Sequence, residues 1–216
     1  LELNLSAADL PPHILAEAES KCDAYTAVCK ELLTAVKGLI PAVRVSFTSF
    51  AILGAQGMDA LAEVLRFAKE QSFYVALDAP ELFSAASAKS VADAVFGEDS
   101  IFACDGLIIS GYLGSDVIKP FLPYCKKGNK DIFVLVRTSN KSASEIQDLL
   151  SGSRLVHAAA ADYVNRYGGD TLGKNGYTNV GILAAASAAD SIKNLRTKYP
   201  KLFMILDGAD YPNANA

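Results

Sequence analysis

The sequence predicts an α/β protein, a TIM (β/α)8 barrel that lacks its eighth strand–helix unit or is truncated before it. Short runs rich in Val, Ile, Leu and Phe recur along the 216 residues, and an Ala-rich stretch with helical spacing follows them. Runs such as IFVLV (132–136) and LFMIL (202–206) are apolar throughout, as in parallel strands that helices cover on both faces. Seven such units favour a barrel, because a doubly wound sheet more often uses about five or six strands.

Each predicted strand is one of these apolar runs. The seven runs are Leu1–Leu5, Ala42–Phe47, Phe73–Leu77, Gly106–Ile109, Ile132–Arg137, Val180–Ala184 and Leu202–Leu206. The sequence ends in the loop YPNANA just after the seventh run. Because an open barrel would leave bare strand edges, we expect a truncated chain rather than an unusual closure.

Helices are predicted between the strands. They are Ile14 to about Lys37, Met58–Gln71, Ala85–Phe96, a segment after Gly114, Ser142–Leu150, Arg154–Tyr167 and Ala188–Tyr199. Ser142 and Glu145 have the spacing of a capping box, and Pro200 ends the last helix. No linker or low-complexity tract interrupts the pattern, so residues 1–216 are predicted to form a single domain.

The composition excludes several classes of protein and partner. With 51% hydrophobic residues and a net charge of −4, from 24 acidic and 20 basic side chains, the chain is not intrinsically disordered. The absence of any Lys/Arg run argues against nucleic acid or an anionic membrane surface as partners. No apolar stretch approaches the roughly 20 residues that span a bilayer, and the start LELNLSAADL is unlike a signal peptide. We expect a cytoplasmic protein with a small ligand.

The cysteines and histidines do not suggest a metal site. Four cysteines are spread along the chain without CxxC spacing, which argues against a zinc or disulfide framework: Cys22, Cys29, Cys104 and Cys125. His13 and His157 are far apart in sequence, and we interpret each as a structural histidine. No metal ligand set is predicted.

Candidate site residues lie where the predicted strands end, because barrel chemistry is located at the carboxyl ends of the strands. This polar rim comprises Asn4, Arg44, Asp78, Ser110, Tyr112, Thr138, Ser139, Asn140, Asp207 and Gly208. It offers hydrogen bonds to a polar heterocycle or sugar, but it contains no evident nucleophile–base pair. Asp78 is the most informative member, because a carboxylate ending a hydrophobic strand at a barrel mouth is more often functional than structural.

Longer motifs resemble one known family over essentially the whole chain. VRTSNKSASEIQDL (136–149), GYLGSDVIKPFL (111–122), and FYVALDA followed by SAASAKSVADAVFG are similar to orotidine 5′-phosphate decarboxylases of the second bacterial subfamily. AVRVSFTSFAILGAQGMDAL and NVGILAAASAADSIKNLRTKYP extend the similarity. The resemblance implies a homodimeric barrel that converts orotidine monophosphate to uridine monophosphate without metal or organic cofactor.

The resemblance also shows where this chain departs from the family. The family's Asp-x-Lys-x-x-Asp motif reads Asp78-Ala79-Pro80-Glu81-Leu82-Phe83, so Pro80 replaces its lysine and Phe83 replaces its last aspartate, which reaches across the dimer interface. Arg44 stands at the family's second-strand lysine, and Asn4 at its first-strand aspartate. Asp78 and Arg44 are therefore the remaining catalytic candidates. Arginine is a poor proton donor near neutral pH, and Lys89 in the following helix is expected to be solvated.

The predicted ligand contacts divide into a ring end and a phosphate end. By resemblance, RTSN supplies hydrogen bonds to the pyrimidine through residues such as Ser139 and Asn140, although Asn140 and Ser142 could instead cap a helix. At the phosphate end the chain offers Asp207-Gly208-Ala209-Asp210, whose carboxylates would repel a phosphate. The glycine-rich loop around Lys174 is interpreted as a connector.

Three hypotheses follow for function. The first is a working orotidine 5′-phosphate decarboxylase, supported by the similarity. The second is a non-catalytic relative that binds a nucleotide or a protein partner, supported by Pro80 and Phe83. The third is a barrel enzyme with new chemistry at Asp78 and Arg44. We also expect a homodimer formed around the loops after the second, third and fourth strands, where Phe83 would be covered at the interface instead of adding to an exposed apolar patch.

Overall fold

The computed structural model describes residues 1–127 and 129–208. Asp210 and the predicted loop YPNANA lie outside the described residues. The chain divides into two compact units, one formed by Leu1–Ala79 and Asp93–Leu107, the other by Pro80–Ala92 and Ile108–Ala216. Each unit is an α/β arrangement of parallel strands and helices.

The first unit contains three parallel strands in chain order. They are β1 (Glu2–Leu3), β2 (Ala42–Ser46) and β3 (Tyr74–Asp78). Glu2 pairs with Arg44, and Ser46 pairs with Asp78. The helices are α1 (Pro12–Glu17), α2 (Lys21–Val36), α3 (Phe47–Ala51) and α4 (Ala55–Glu70). Its core consists of inward-facing strand residues and the apolar faces of the long helices, including Val45, Leu77, Leu33, Leu61 and Leu65.

Two elements lead from one unit into the other. Helix α5 (Ala88–Phe96) follows a 3-10 turn at Ala85–Ser87, and strand β4 (Gly106–Ser110) follows α5. The predicted segment after Gly114 consists of 3-10 turns at Ser115–Val117 and Lys119–Phe121, followed by the short helix α6 (Leu122–Lys126).

The second unit contains a further parallel set of strands. β5 (Asp131–Arg137) pairs with β8 (Thr178–Ala185), which pairs with β9 (Leu202–Asp207). β6 (Leu150–Ser151) and β7 (Arg154–Leu155) form a short antiparallel ribbon. Its helices are α7 (Val156–Gly168) and α8 (Ala189–Lys198). All seven predicted strands are confirmed, and each predicted boundary lies within two residues of the observed one. Their apolar character reflects burial in the sheet.

Two predicted helices differ in the structure. The helix predicted from Ile14 to Lys37 is two helices, because Ser20 caps α2: its hydroxyl accepts the Asp23 N–H at 3.2 Å. The predicted helix Ser142–Leu150 is wrong. A 3-10 turn at Lys141–Glu145 leads instead into the β6–β7 ribbon. The next helix was predicted to begin at Arg154, but Arg154 and Leu155 form strand β7 of this ribbon.

The capping box expected at Ser142 does not form. Ser142 Oγ instead lies 3.0 Å from Asn140 Nδ2, and Ile146 and Leu149 are exposed. The buried side chain of this segment is Gln147, which is bonded to the end of β5. A polar contact with a distant strand thus overrides the local amphipathic pattern.

Candidate active site

Arg44 lies between two carboxylates in the first unit. Its Nη2 is 2.5 Å from Glu2 Oε2, and its Nε is 3.3 Å from Asp78 Oδ2. Glu2 is directly opposite Arg44 on β1, whereas Asp78 ends β3 two residues beyond the register partner of Arg44, on the same face. The structure therefore brings together the two catalytic candidates, Arg44 and Asp78, and adds Glu2. Glu2 was not among the predicted residues, because its contact with Arg44 depends on the register of β1 against β2.

This cluster can hold charge but is poorly suited to moving protons. The Arg44 and Asp78 side chains are 14% and 19% exposed, so the pair is largely shielded from water. A guanidinium remains protonated at any pH that a folded protein tolerates. Its positive charge is offset by two carboxylates, which leaves a formal charge of −1.

Asn4, the remaining candidate of the first unit, is hydrogen-bonded near the start of α3. Its Oδ1 accepts a hydrogen bond from Ser49 Oγ at 3.0 Å. Ser49 in turn donates its main-chain N–H to Ser46 Oγ at 3.3 Å, which caps α3. Ser46 and Ser49 are both buried, and their SxxS spacing was the signal that could have revealed them.

In the second unit, the end of β5 carries Thr138, Ser139 and Asn140. Thr138 N–H donates to Gln147 Oε1 at 2.8 Å, and Thr138 Oγ1 accepts from Gln147 Nε2 at 2.7 Å. The Thr138 hydroxyl donates to Asn140 Oδ1 at 2.5 Å. Gln147 thus fixes Thr138, while the side chains of Ser139 and Asn140 are exposed and accessible to a ligand.

Arg137 and His157 support this segment. Arg137 Nη2 is 2.9 Å from Asp148 Oδ2, and Arg137 Nη1 donates to the Thr138 carbonyl at 2.7 Å. His157 is buried, with Nδ1 2.9 Å from the Gln147 carbonyl and 3.2 Å from Asp148 Oδ1. These bonds agree with the structural role predicted for His157.

The ends of β5 and β9 are linked by Ser139 and Asp207. Ser139 Oγ donates to Asp207 Oδ2 at 3.2 Å, which brings two of the predicted ligand contacts together. Gly208 follows with a φ of 72°, a left-handed conformation that favours glycine. The carboxylate of Asp207 therefore faces the segment that the resemblance assigns to the pyrimidine.

Tyr112 and Ser110 follow β4. Tyr112 donates its main-chain N–H to Ser110 Oγ at 3.4 Å, and its hydroxyl donates to the Val136 carbonyl. Burial, reinforced by the neighbouring Tyr163, raises the pKa of Tyr112 well above its usual range. Gly111 lets the chain approach β5, because a Cβ there would lie 2.7 Å from the Leu135 carbonyl oxygen. The Tyr112 hydroxyl thus links the loop to β5, and its predicted contact with a ligand stays a prediction.

The positions that depart from the family motif lie in the second unit. Phe83, which was predicted to lie at a dimer interface, is half-buried within the single chain, and its ring lies 5.7 Å from the Phe121 ring between centroids. Contact between the two rings removes apolar surface from water. Pro80 is half-buried, and Glu81, Lys89 and Lys174 are exposed.

The thiols do not form a metal or disulfide site in the described part of the chain. All four cysteines are free, and no group of three or more His, Cys, Asp and Glu side chains among the described residues could hold a metal ion. Burial raises the pKa of Cys29 and of Cys125 to about 12, so these thiols are unreactive. No helix among residues 1–127 and 129–208 has the length and apolar character needed to cross a bilayer.

Known proteins resemble this chain in sequence over most of its length. No family model matches it. The chain is 32% identical over 194 residues to the orotidine 5′-phosphate decarboxylase of Rhodopirellula baltica, covering 88% of this chain and 64% of that relative. It is 30% identical over 200 residues to that of Clostridium perfringens, covering 92% of this chain and 69% of the relative. The chain thus spans 64–69% of the length of these two relatives.

Solved structures of orotidine monophosphate decarboxylases have a similar fold. The Leishmania donovani OMP decarboxylase matches with a TM-score of 0.73 and 27% identity, over 87% of this chain and 70% of that chain. The Plasmodium berghei orotidine 5′-monophosphate decarboxylase matches with a TM-score of 0.76 at 19% identity, over 94% of this chain and 65% of that chain, and supports the fold alone. These neighbours confirm the predicted TIM-barrel class, with the chain matching part of the barrel. By sequence identity and coverage, the chain belongs to the orotidine 5′-phosphate decarboxylase family.

Proposed function

We propose that this chain is a decarboxylase-family protein of pyrimidine biosynthesis that recognises a nucleotide like orotidine or uridine monophosphate, and whose decarboxylase activity is lost or strongly reduced. The observation that carries the proposal is Pro80. It stands two residues after Asp78, at the position where the resemblance places the catalytic lysine.

The chemistry explains why this replacement is decisive. Decarboxylation at C6 of the pyrimidine leaves an electron pair with little resonance stabilisation, so the site must supply a cation and then a proton. Proline has no ionisable group. Arg44 supplies a cation, but its guanidinium is held by Glu2 and Asp78 and does not release a proton. Loss of the proton donor therefore predicts loss of turnover.

The end of β5 supports retained ligand recognition. Ser139 and Asn140 are exposed, and Gln147 and Arg137 hold the main chain of Thr138 beneath them. Preorganised hydrogen-bonding groups of this kind bind a polar ring without a large ordering cost. Uridine monophosphate presents such a ring.

Calorimetric titration with uridine monophosphate, run beside an orotidine monophosphate decarboxylation assay, tests both parts of the proposal. We expect binding without turnover. Ordinary turnover would contradict the loss of activity, and absence of binding would contradict nucleotide recognition. A Ser139→Ala variant that changes neither affinity nor melting temperature would remove β5 from the proposed site.

Restoring the motif provides a sharper test. Pro80→Lys alone is expected to be insufficient, because Phe83 leaves the motif without its last carboxylate to hold the new lysine. The double variant Pro80→Lys, Phe83→Asp is expected to gain measurable turnover. Pro80→Ala, Phe83→Ala is the matched control, since it removes the same side chains and the Phe83–Phe121 contact without adding charge.

We also propose a homodimer formed around the loops after β2, β3 and β4. Ile52, which follows β2, is 68% exposed, and Leu113, which follows β4, is 45% exposed; an interface would cover such side chains. Phe83 has a smaller role than the sequence suggested, because it packs on Phe121. Sedimentation at micromolar concentration is expected to show a dimer that Leu113→Asp weakens, and a monomeric parent chain would refute it. The single-domain organisation and the cytoplasmic location stay predictions.

A further inference from the structure

Gln147 is a buried polar residue that supports the end of β5 from behind the proposed ligand contacts. It is 9% exposed and lies after the 3-10 turn Lys141–Glu145. Its amide makes two hydrogen bonds to Thr138, one to the main-chain N–H at 2.8 Å and one to the hydroxyl at 2.7 Å. Arg137 Nη1 lies 3.4 Å from its oxygen.

The main-chain N–H of Thr138 sets the direction of every bond that follows. That group can only donate, so the Gln147 atom facing it is the oxygen. The Gln147 NH2 group therefore faces Thr138 Oγ1 and donates to it. The Thr138 hydroxyl donates a hydrogen bond to Asn140 Oδ1 at 2.5 Å, and Asn140 Nδ2 donates to Ser142 Oγ at 3.0 Å. A single chain of donors thus runs from a buried amide to an exposed one.

We propose that Gln147 is a positioning residue that fixes the orientation of the Asn140 amide toward the nucleotide by acting through Thr138. The inference rests on the proposed function, because it assigns Asn140 to ligand recognition. These two bonds use one Asn140 N–H and one lone pair of Oδ1, and the amide has a second of each. The orientation of the Asn140 amide determines where its remaining N–H donor and oxygen acceptor point. It therefore determines which edge of a base these two groups can recognise.

Gln147→Glu would interrupt this series of hydrogen bonds with almost no change in the shape of the side chain. An ionised carboxylate accepts the Thr138 N–H as before, but its second oxygen cannot donate. The Thr138 hydroxyl would then turn its proton toward residue 147, and Asn140 Oδ1 would lose its donor. Thr138→Val produces the same loss from the other side, while leaving the main-chain bond to Gln147 intact.

A double-mutant cycle in the full chain, with uridine monophosphate affinity measured by calorimetry, tests this coupling. Gln147→Glu and Thr138→Val are each expected to weaken binding about tenfold, which corresponds to one lost hydrogen bond. Because both act on the same chain of donors, the double variant is also expected to lose about tenfold rather than about a hundredfold. Thr138→Ser retains the hydroxyl and is expected to stay within about twofold of the parent chain, by the same reasoning.

A spectroscopic readout separates this role from simple stabilisation and needs no ligand. The side-chain amide of Asn140 can be followed by 15N–1H spectroscopy and assigned from its loss in Asn140→Asp. We expect its signals to shift in Gln147→Glu and Thr138→Val and to be unchanged in Thr138→Ser. If Gln147→Glu does not fold, Thr138→Val carries the test alone.

The outcomes distinguish the two proposals. If the parent chain does not bind uridine monophosphate while the Asn140 signals shift as expected, nucleotide recognition fails and the control of the amide by Gln147 stands. If Asn140 signals and affinity are unchanged in both single variants, or if their effects on affinity add, the positioning role of Gln147 is refuted.

Discussion

Replacing Arg44 with methionine should destabilise the protein well beyond the cost of losing a surface ion pair. The guanidinium is 2.5 Å from Glu2 and 3.3 Å from Asp78, and the three side chains are 14%, 36% and 19% exposed, respectively. Removing one partner of a buried pair costs about 3–5 kcal/mol, whereas exposed pairs contribute about 0–1 kcal/mol. Because the exposures at Arg44 lie between these two cases, we expect Arg44→Met to lower the free energy of unfolding by about 2–3 kcal/mol.

Chemical unfolding in urea measures this loss directly, and Lys30→Met is the matched control. Lys30 pairs with Glu63 at 2.5 Å, but the two side chains are 34% and 43% exposed, so this variant is expected to lose less than about 1 kcal/mol. Asp78→Asn should destabilise the parent chain, yet be neutral or stabilising in the Arg44→Met background, because it then removes one of two uncompensated carboxylates. If Arg44→Met lowers the free energy of unfolding no more than Lys30→Met does, the shielded Arg44 cluster does not contribute as expected.

Three further predictions concern other parts of the structure. Tyr112→Phe removes the hydrogen bond to the Val136 carbonyl and should lower the free energy of unfolding by about 1–2 kcal/mol, seen as a melting temperature about 2–8 °C lower; an unchanged melting temperature would contradict the structural role. Burial of Asp162 raises the pKa of its carboxyl, but hydrogen bonds from Lys198 and Arg154 outweigh this effect and hold the pKa below 3.8. The ionised carboxylate therefore adds fully to the free energy of unfolding above pH 3.8, and this contribution is lost as the pH falls through the lowered pKa. Asp162→Asn should therefore destabilise the chain in urea at pH 7 and differ less from the parent at pH 3; equal differences at both pH values would contradict this. In the native chain at pH 8, a thiol reagent should modify the half-buried Cys22 first, because Cys29, Cys104 and Cys125 are buried, and Cys22→Ser should abolish the fast phase.

The strands could be predicted because burial of a whole strand leaves a signal in consecutive residues. IFVLV at 132–136 and LFMIL at 202–206 are apolar without alternation, and each lies within an observed strand. Most rim candidates followed directly, since they were taken from the ends of strands, although Arg44 lies in the middle of β2. Arg44 and Asp78 could therefore be placed at neighbouring strands without knowledge of the structure.

Contacts that join distant segments could not be read from local patterns. Ile146 and Leu149 after Ser142 have the spacing of an amphipathic helix, but in the structure they are 62% and 54% exposed, and Gln147 is buried. The amide of Gln147 satisfies the main chain of Thr138, nine residues earlier, and hydrophobic periodicity contains no information about that bond. The pairing of Glu2 with Arg44 was missed for the same reason, because it requires the register of β1 against β2.

The proposed loss of the decarboxylase reaction rests on Pro80, which stands where the resemblance places the catalytic lysine. The most direct test is a steady-state assay of the full chain with orotidine monophosphate, following uridine monophosphate formation against a protein-free control. We expect the parent chain to form no product above the control, and Pro80→Lys, Phe83→Asp to form measurable product. Ordinary turnover by the parent chain that survives Arg44→Ala would contradict the proposed loss of activity.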